Sequence, residues 1–145
     1  MAIFNKVLFF VLVAAILVCI GSIIYIASIA NKADSFTEFY ILNADGKAAD
    51  YPYEVKSGTP ANIIIGVINH EKKSVDYKVV ISIGDVIIKT VYTGTVQDNH
   101  KWEENVAFSH VSTGDNQKVE FHIYANNETV PLQKDPLSIT IKVID

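Results

Sequence analysis

The sequence contains no arginine, and its twelve basic residues are all lysines. Sixteen Asp and Glu residues outnumber them, and all of these carboxylates follow residue 33. Proteins that bind nucleic acid usually present a basic face, with Arg side chains on phosphates or guanine. This acidic, Arg-free composition therefore predicts no nucleic-acid partner, and it also disfavours tight docking on anionic lipid headgroups.

Cysteine is nearly absent as well, because Cys19 is the only one in the chain. A single cysteine cannot form an intramolecular disulfide, so a hydrophobic core must hold the fold together. Cys19 also lies in the middle of a long apolar segment, where a free thiol behaves as a small hydrophobic side chain. The composition therefore offers no thiolate metal site.

Charge is absent from residues 7–30, VLFFVLVAAILVCIGSIIYIASIA. At about 1.5 Å per residue a helix of this length measures roughly 36 Å, enough to cross a hydrocarbon core of about 30 Å. Ser28-Ile29-Ala30 resembles a signal-peptide cleavage site, which makes a cleaved signal the competing interpretation. Because the apolar region of a signal peptide usually has only about 7–15 residues, we predict a retained transmembrane helix at residues 7–30.

The flanks of this segment predict its orientation. The α-amino group and Lys6 precede it, whereas Lys32 on the other flank is offset by Asp34. By the positive-inside rule, residues 1–6 are expected in the cytoplasm and the C-terminal part of the chain outside it. The sequence therefore predicts a single-pass protein of the plasma membrane with its N-terminus inside.

Small residues recur along the predicted helix at a helical spacing. Ala14, Gly21 and Ser28 are seven residues apart, about two turns, and Ala15 and Ser22 lie beside them. Small side chains on one face allow another helix to approach closely in a membrane. These five residues are therefore candidates for a helix–helix interface.

Beyond the helix, apolar residues alternate with polar ones. In VDYKVVISI, Tyr77 and Val79 fall on one face and Asp76 and Lys78 on the other, which is typical of a half-buried strand. With turn residues between such segments, residues 36–145 predict an immunoglobulin-like antiparallel β-sandwich with no helix of its own. We expect about seven strands: Phe36–Leu42, Ala61–Ile68, Val75–Ile83, Val86–Thr93, Trp102–Phe108, Val119–Ala125 and Leu137–Val143.

A polar island, NHEKKS at residues 69–74, separates two of these predicted strands. Charged residues concentrate at hairpin tips because the tip is solvated. The functional alternative makes His70 and Glu71 metal ligands or an acid–base pair, but adjacent residues rarely point at one centre. We therefore interpret the island as a hairpin tip. Gly84-Asp85 predicts a second, two-residue hairpin turn.

The other histidines lack the spacing of a metal site. His100 has Asp98, Glu103 and Glu104 nearby, but structural zinc prefers paired ligands at short spacing and catalytic zinc needs about three. His122 falls on the outward face of a predicted strand, where a polar cross-strand contact explains it. No metal site is predicted.

No catalytic motif is recognisable either. His110 follows Ser109 at the end of a predicted strand, but no nucleophile, base and orienting carboxylate can be assembled around it. The sequence therefore predicts neither an enzyme nor a cofactor.

Aromatic and polar loop residues provide the remaining surface candidates. Tyr51 and Tyr53 flank Pro52 and are candidate partner contacts, since tyrosine is common at interfaces; the alternative is packing over a sheet edge. Trp102, at the start of a strand, is expected in the core. Asn127-Glu128-Thr129 is an N-glycosylation sequon in a predicted loop, which makes Asn127 a glycosylation candidate.

Four segments occur in order along the outer domain: FTEFYILNADGKAADYP, IGVINHE, WEENVAFS and GDNQKVEFHIY. Together they resemble the carboxy-terminal domain of an archaeal membrane-protein family known as domain of unknown function 1616, from Phe36 to about Tyr124. The resemblance implies a membrane-anchored β domain without an assigned activity. This sequence departs from the longer family members, which have several membrane helices, because it predicts only one.

Two classes of function fit these features. In the first, the protein is a non-catalytic accessory subunit whose β-sandwich covers or braces the outer face of a membrane or envelope assembly. In the second, it is a stand-alone surface binding or adhesion module; a pilin-like filament subunit is a third layout. The predicted linker, residues 31–35, spans at most roughly 17 Å when extended. Such a short linker favours other membrane or envelope proteins as partners.

Overall fold

The computed structural model describes residues 2–30, 35–109 and 112–145. The predicted linker, apart from Ser35, lies outside these residues, as does His110. The chain divides into two compact units, Met1–Ser35 and Phe36–Asp145.

In the first unit, residues 2–30 form helix α1 (Ala2–Ala30), which contains the predicted segment and begins five residues before it. Within it, Lys6–Ser28 is long and apolar enough to cross a membrane, with a mean hydropathy of 3.2. None of this window is buried inside the protein. Cys19 lies exposed in the same window.

The second unit is an immunoglobulin-like β-sandwich of two sheets. One sheet has three strands in the order β1-β3-β6, and the other has five in the order β2-β8-β7-β4-β5. The strands are β1 (Phe36–Asn43), β2 (Glu54–Lys56), β3 (Ala61–His70), β4 (Val75–Ile83), β5 (Val86–Val96), β6 (Lys101–Phe108), β7 (Gly114–Ala125) and β8 (Leu137–Ile144).

All seven predicted strands are present, and β2 is an additional one. It contributes only three residues, with Val55 as its single buried side chain, so alternation over a few residues could not identify it. It pairs with β8 in parallel, whereas the other strand pairs are antiparallel. Several strands are also longer than predicted. β3 continues to His70 and β5 to Val96.

The core lies between the inward faces of the two sheets. Tyr77 on β4 and Phe121 on β7 are its largest fully buried side chains. Phe121 packs edge-to-face against Phe108 of the other sheet, with ring centroids 6.4 Å apart. Trp102 is half-buried and packs against this core. The face predicted for Val75–Ile83, with Tyr77 and Val79 together, is therefore the buried one.

The predicted turns have different outcomes. Gly84-Asp85 joins β4 to β5 as a two-residue hairpin turn, and Gly84 has a φ of 56°, which glycine adopts without steric cost. The NHEKKS segment is not a hairpin tip, because β3 and β4 belong to different sheets. Asn69 and His70 are part of β3, so the connection comprises only residues 71–74. The polar island is a corner between the sheets.

Strand register places four segments at one end of the sandwich. Phe36 at the start of β1 pairs with His70, and Val75 pairs with Val96 at the end of β5. We call this the entry end, because the chain enters the domain here; it comprises the start of β1 and the connections 71–74, 97–100 and 126–136.

Candidate functional site

A cluster of polar side chains occupies the entry end, with His70 at its centre. The His70 ring lies 3.0 Å through Nε2 from Glu38 Oε1 on β1 and 3.0 Å through Nδ1 from Asn99 Oδ1 in the 97–100 loop. Phe36 packs against the same ring, with centroids 4.7 Å apart. His70 therefore links three separate segments of the chain.

The contacts of His70 favour its charged form. Both ring nitrogens face oxygen atoms, so both must carry a proton to donate. The hydrogen bond with Asn99 and then the Glu38 carboxylate raise the pKa of His70 above its usual value. Because both nitrogens are already bonded, the ring has no free position from which to act as a general base. Its geometry fits a cross-link better than catalysis.

Asn69, the residue before His70, is fully buried. Its Nδ2 donates to the backbone oxygens of Lys73 at 2.7 Å and Val96 at 2.8 Å, and its Oδ1 accepts from the Glu71 amide. The side chain thus satisfies backbone groups of the corner and a buried backbone oxygen of β5. The prediction that Asn69 belongs to a solvated tip is therefore wrong. Its place in the inward-facing series after residues 63, 65 and 67 was the signal that could have identified it.

A second series of hydrogen bonds connects the corner to the buried Tyr77. Thr37 Oγ1 donates to Glu71 Oε1 at 2.9 Å and lies 2.9 Å from the Tyr77 hydroxyl. Burial of Tyr77 raises the pKa of its phenol, which keeps the hydroxyl protonated as a donor. Glu71 therefore anchors the corner to β1, and it does not share a centre with His70.

The outer face of the three-stranded sheet holds another charged contact. Tyr40 on β1, Gly66 on β3 and Glu103 on β6 form one cross-strand row. The Tyr40 hydroxyl donates to Glu103 Oε2 at 2.5 Å. Burial, then the bond to this carboxylate, raise the pKa of Tyr40 to about 12, and the same bond lowers the pKa of Glu103. Glu103 is therefore held by Tyr40 and is not directed towards His100.

The other histidine candidates also have local partners. His100 Nδ1 lies 2.9 Å from the backbone oxygen of Asp98. His122 lies on the outward face of β7, as predicted, with Nε2 3.7 Å from Glu120 Oε2. Across residues 2–30, 35–109 and 112–145, no three His, Cys, Asp or Glu side chains are grouped so that they could hold a metal ion.

The two tyrosine candidates occupy different environments. Tyr51 packs against the core, and its hydroxyl donates to the backbone oxygen of Ile41 at 2.8 Å. Burial raises the pKa of Tyr51. Tyr53 is 55% exposed. A partner contact through this segment stays a prediction, and Tyr53 is the side chain placed to make it.

An open groove lies at the end of the domain opposite the entry end. It measures about 460 Å³ and is lined by Asp45, Asp50 and Glu54 together with Pro52 and Pro60. The three carboxylates come from the β1–β2 connection and from β2, and they do not form a metal-binding group. The groove is open and its lining is predominantly acidic.

The predicted helix–helix residues all lie on α1. The hydroxyls of Ser22 and Ser28 donate to the backbone oxygens of Val18 and Ile24, one turn earlier, each at 2.8 Å. No atom lies within 4 Å of the position that a Cβ would take at Gly21. The serines are therefore satisfied within the helix, and Gly21 leaves an open surface beside Ser22.

Comparison with protein families gives a direct assignment. The model of a family described as "Domain of unknown function (DUF1616)" matches residues 30–140. The chain belongs to this family. The match covers the whole β-sandwich of the DUF1616 chain except its last residues, and the family description assigns no activity. No protein of curated function matches the sequence.

Solved structures confirm the fold of the DUF1616 domain. It is similar to the crystal structure of the CARDB domain of the PF1109 protein from Pyrococcus furiosus in complex with di-metal ions, with a TM-score of 0.54 and 14% identity, over 77% of this chain and 90% of that one. The solution structure of the same CARDB domain gives a TM-score of 0.50 at 13% identity, over 77% and 98% of the two chains. At this identity the similarity shows a common fold, and the metal ions belong to the other protein.

Proposed function

We propose that the protein is a single-pass membrane protein whose β-sandwich acts outside the cytoplasm as a non-catalytic accessory subunit. The observation that carries the proposal is the Lys6–Ser28 window, which is strongly apolar and has no side chain buried inside the protein. An uncovered apolar helix of this length needs lipid or another helix around it. The α-amino group and Lys6 before the helix support the predicted orientation, because positive flanks are retained in the cytoplasm.

The geometry of the domain supports a structural role. The polar side chains that stand out in the sequence, His70 and Glu71, form hydrogen bonds between separate segments. His70 connects β3 to β1 and to the 97–100 loop, and Glu71 connects the corner to β1. Exposed apolar residues at the entry end, Phe36, Val130 and Leu132, provide surface for a protein partner. These features favour a subunit that braces an assembly through its domain surface.

The small-residue stripe on α1 is the proposed contact for a partner helix. Gly21→Leu is expected to weaken co-purification with that partner, since the leucine fills the space that a close helix backbone needs. Leu17→Ile is the matched control, because it keeps the volume and apolar character of the helix. Equal recovery of every partner with both variants would show that the stripe is not an interface.

Purification of the full chain in mild detergent tests the function as a whole. We expect the protein to elute with a fixed set of other membrane or envelope proteins. If the protein elutes alone under the mildest conditions that extract it, the accessory-subunit proposal is wrong. A stand-alone surface module then becomes the better interpretation.

A further inference from the structure

Three side chains form a row across the outer face of the five-stranded sheet. Lys78 on β4 pairs with Tyr92 on β5 and with Tyr124 on β7. The Lys78 ammonium lies 4.7 Å from the centre of the Tyr124 ring, so it covers that ring. Tyr92 is 68% exposed. The row therefore offers one open aromatic face beside a cation.

A groove of about 320 Å³ lies beside Tyr92. Gly94, in the left-handed region with a φ of 67°, has no side chain to fill the groove. Thr95 Oγ1 donates to Asp76 Oδ1 at 2.6 Å, which holds the carboxylate in place. The groove thus combines an aromatic ring, a lysine and an oriented carboxylate, and it is lined by Asp76, Lys78, Tyr92, Gly94, Thr95 and Asn127.

Asn127 borders this groove and also begins the sequon Asn127-Glu128-Thr129. The turn that carries it is tied to β4, because the Asn126 amide donates to the backbone oxygen of Asp76 at 2.8 Å. All three sequon residues are exposed. An acceptor sequence on an exposed turn is accessible to a glycosyltransferase. The sequon and the open aromatic face are independent features that meet at one place.

We propose that Asn127 carries an N-linked glycan whose first sugar lies in this groove against Tyr92. A pyranose ring has an apolar C–H face that packs on an aromatic ring, and its hydroxyls both donate and accept hydrogen bonds. Asp76 supplies an acceptor and Lys78 a donor at the groove walls. The glycan covers an exposed tyrosine and ties the 126–136 connection to β5.

The covalent step requires a lipid-linked oligosaccharide as the donor. The side-chain nitrogen of Asn127 forms a bond to the anomeric carbon as the bond from that carbon to the lipid phosphate breaks. The phosphate leaves with the electron pair, and the amide nitrogen loses one proton to a base of the transferase. This step rests on the proposed extracytoplasmic position of the domain.

Intact mass measurement of the full chain from its native membranes tests the attachment. We expect a mass increase that disappears in Thr129→Ala and persists in Thr129→Ser, which keeps the sequon. A domain that a membrane-impermeant reagent labels from outside, but that carries no added mass, overturns the glycan proposal and leaves the proposed function intact. A domain that is not labelled from outside overturns both.

Thermal melting of the same proteins in detergent tests whether the first sugar lies against Tyr92. Loss of the glycan in Thr129→Ala is expected to lower the melting temperature relative to Thr129→Ser by about 2–5 °C, the size of one aromatic contact in a domain of this length. In a Tyr92→Ala background this difference should vanish. In a Tyr53→Ala background, which removes another exposed tyrosine, it should persist. A difference that survives Tyr92→Ala shows that the sugar does not rest on that ring.

Discussion

Asn69 shows how one amide side chain holds several segments at the entry end. Its side chain forms hydrogen bonds with the corner and with β5. Its backbone oxygen accepts a hydrogen bond from the backbone amide of Asn99 at 2.7 Å, and its backbone amide donates to the backbone oxygen of His100 at 3.1 Å. All of this takes place at a residue with no exposed surface. Polar groups that are buried and bonded in this way fix the conformation of the loops around them.

Replacement of Asn69 by Ala should therefore destabilise the domain. The variant removes three side-chain hydrogen bonds and leaves the buried oxygen of Val96 without this donor, so we expect a loss of about 2–4 kcal/mol in the free energy of unfolding. Asn62→Ala is the control on the same strand, because Asn62 is exposed and should change stability by less than about 0.5 kcal/mol. Urea unfolding of the full chain in detergent, followed by the fluorescence of the single tryptophan, measures both. Equal losses would contradict the structural role of Asn69.

The raised pKa of His70 predicts a pH-dependent stability. A folded-state pKa above the unfolded value means that folding favours the protonated ring, so the stabilisation is complete below about pH 6.5. It is lost as the pH rises through the higher folded pKa. The charged groups that face the ring are Glu38 on β1 and Asp98 in the 97–100 loop.

His70→Gln should accordingly cost more stability in acid than in base. We expect the melting-temperature difference from the native protein to be largest near pH ~5.5 and to shrink as the pH rises through the raised folded-state pKa of His70, because the imidazole then loses its proton. His100→Gln removes an imidazole whose bond is to the backbone oxygen of Asp98 and serves as the control. A constant difference across this range for His70→Gln would rule out the charged cross-link.

At the scale of elements, the three-stranded sheet depends on close contact across its middle strand. The Tyr40 ring crosses over Gly66 to reach Glu103, and a Cβ at residue 66 would clash with that ring. Gly66 is therefore a packing requirement of the Tyr40–Glu103 bond, because a side chain at this position would occupy the space of the Tyr40 ring.

Gly66→Ala should force the Tyr40 ring away and break its bond to Glu103. We expect a loss of about 1–3 kcal/mol, the usual cost of inserting a methyl group into a packed site. In a Tyr40→Ala background the same substitution should cost much less, because no ring remains to be displaced. Urea unfolding of the four proteins gives the coupling energy, and an additive result would show that the ring is not the obstacle.

The two sheets should contribute equally to one core. Ile65 on β3 and Ile81 on β4 lie on opposite inner faces, and both are fully buried. Truncation of either to Ala is expected to cost about 2–5 kcal/mol through lost burial and a residual cavity. A single cooperative unfolding transition should persist in both variants. A second transition in either variant would show that the sheets unfold separately.

At the scale of the whole molecule, the proposed topology can be tested by thiol labelling. In a Cys19→Ser background, Lys134→Cys places a thiol on an exposed part of the β7–β8 connection. A membrane-impermeant maleimide should label it in intact cells, because the domain is proposed to lie outside. Asn5→Cys should be labelled only after lysis. The reverse pattern would place the domain in the cytoplasm.

Much of this protein was readable from local sequence. An uninterrupted apolar stretch indicated the helix, and alternation of apolar residues identified seven of the eight strands in the described residues and the buried face of β4. Both signals are local, because the period of the side chains along a helix or strand determines which face meets the core. The immunoglobulin-like class followed from the strands and the turns between them, whereas the family followed from the resemblance of four segments that occur in order.

The tertiary structure decided which strands pair and which polar side chains meet at the entry end. Nothing within residues 61–83 shows that β3 and β4 belong to different sheets, since pairing depends on strands distant in sequence. That placement turned the polar island into a corner, buried Asn69 and brought His70 to Glu38 and Asn99. The same long-range register set Tyr40 opposite Glu103 and placed Tyr92 beside Asn127. A sequence specifies which faces avoid water, but contacts between distant residues become definite only when the two sheets pack.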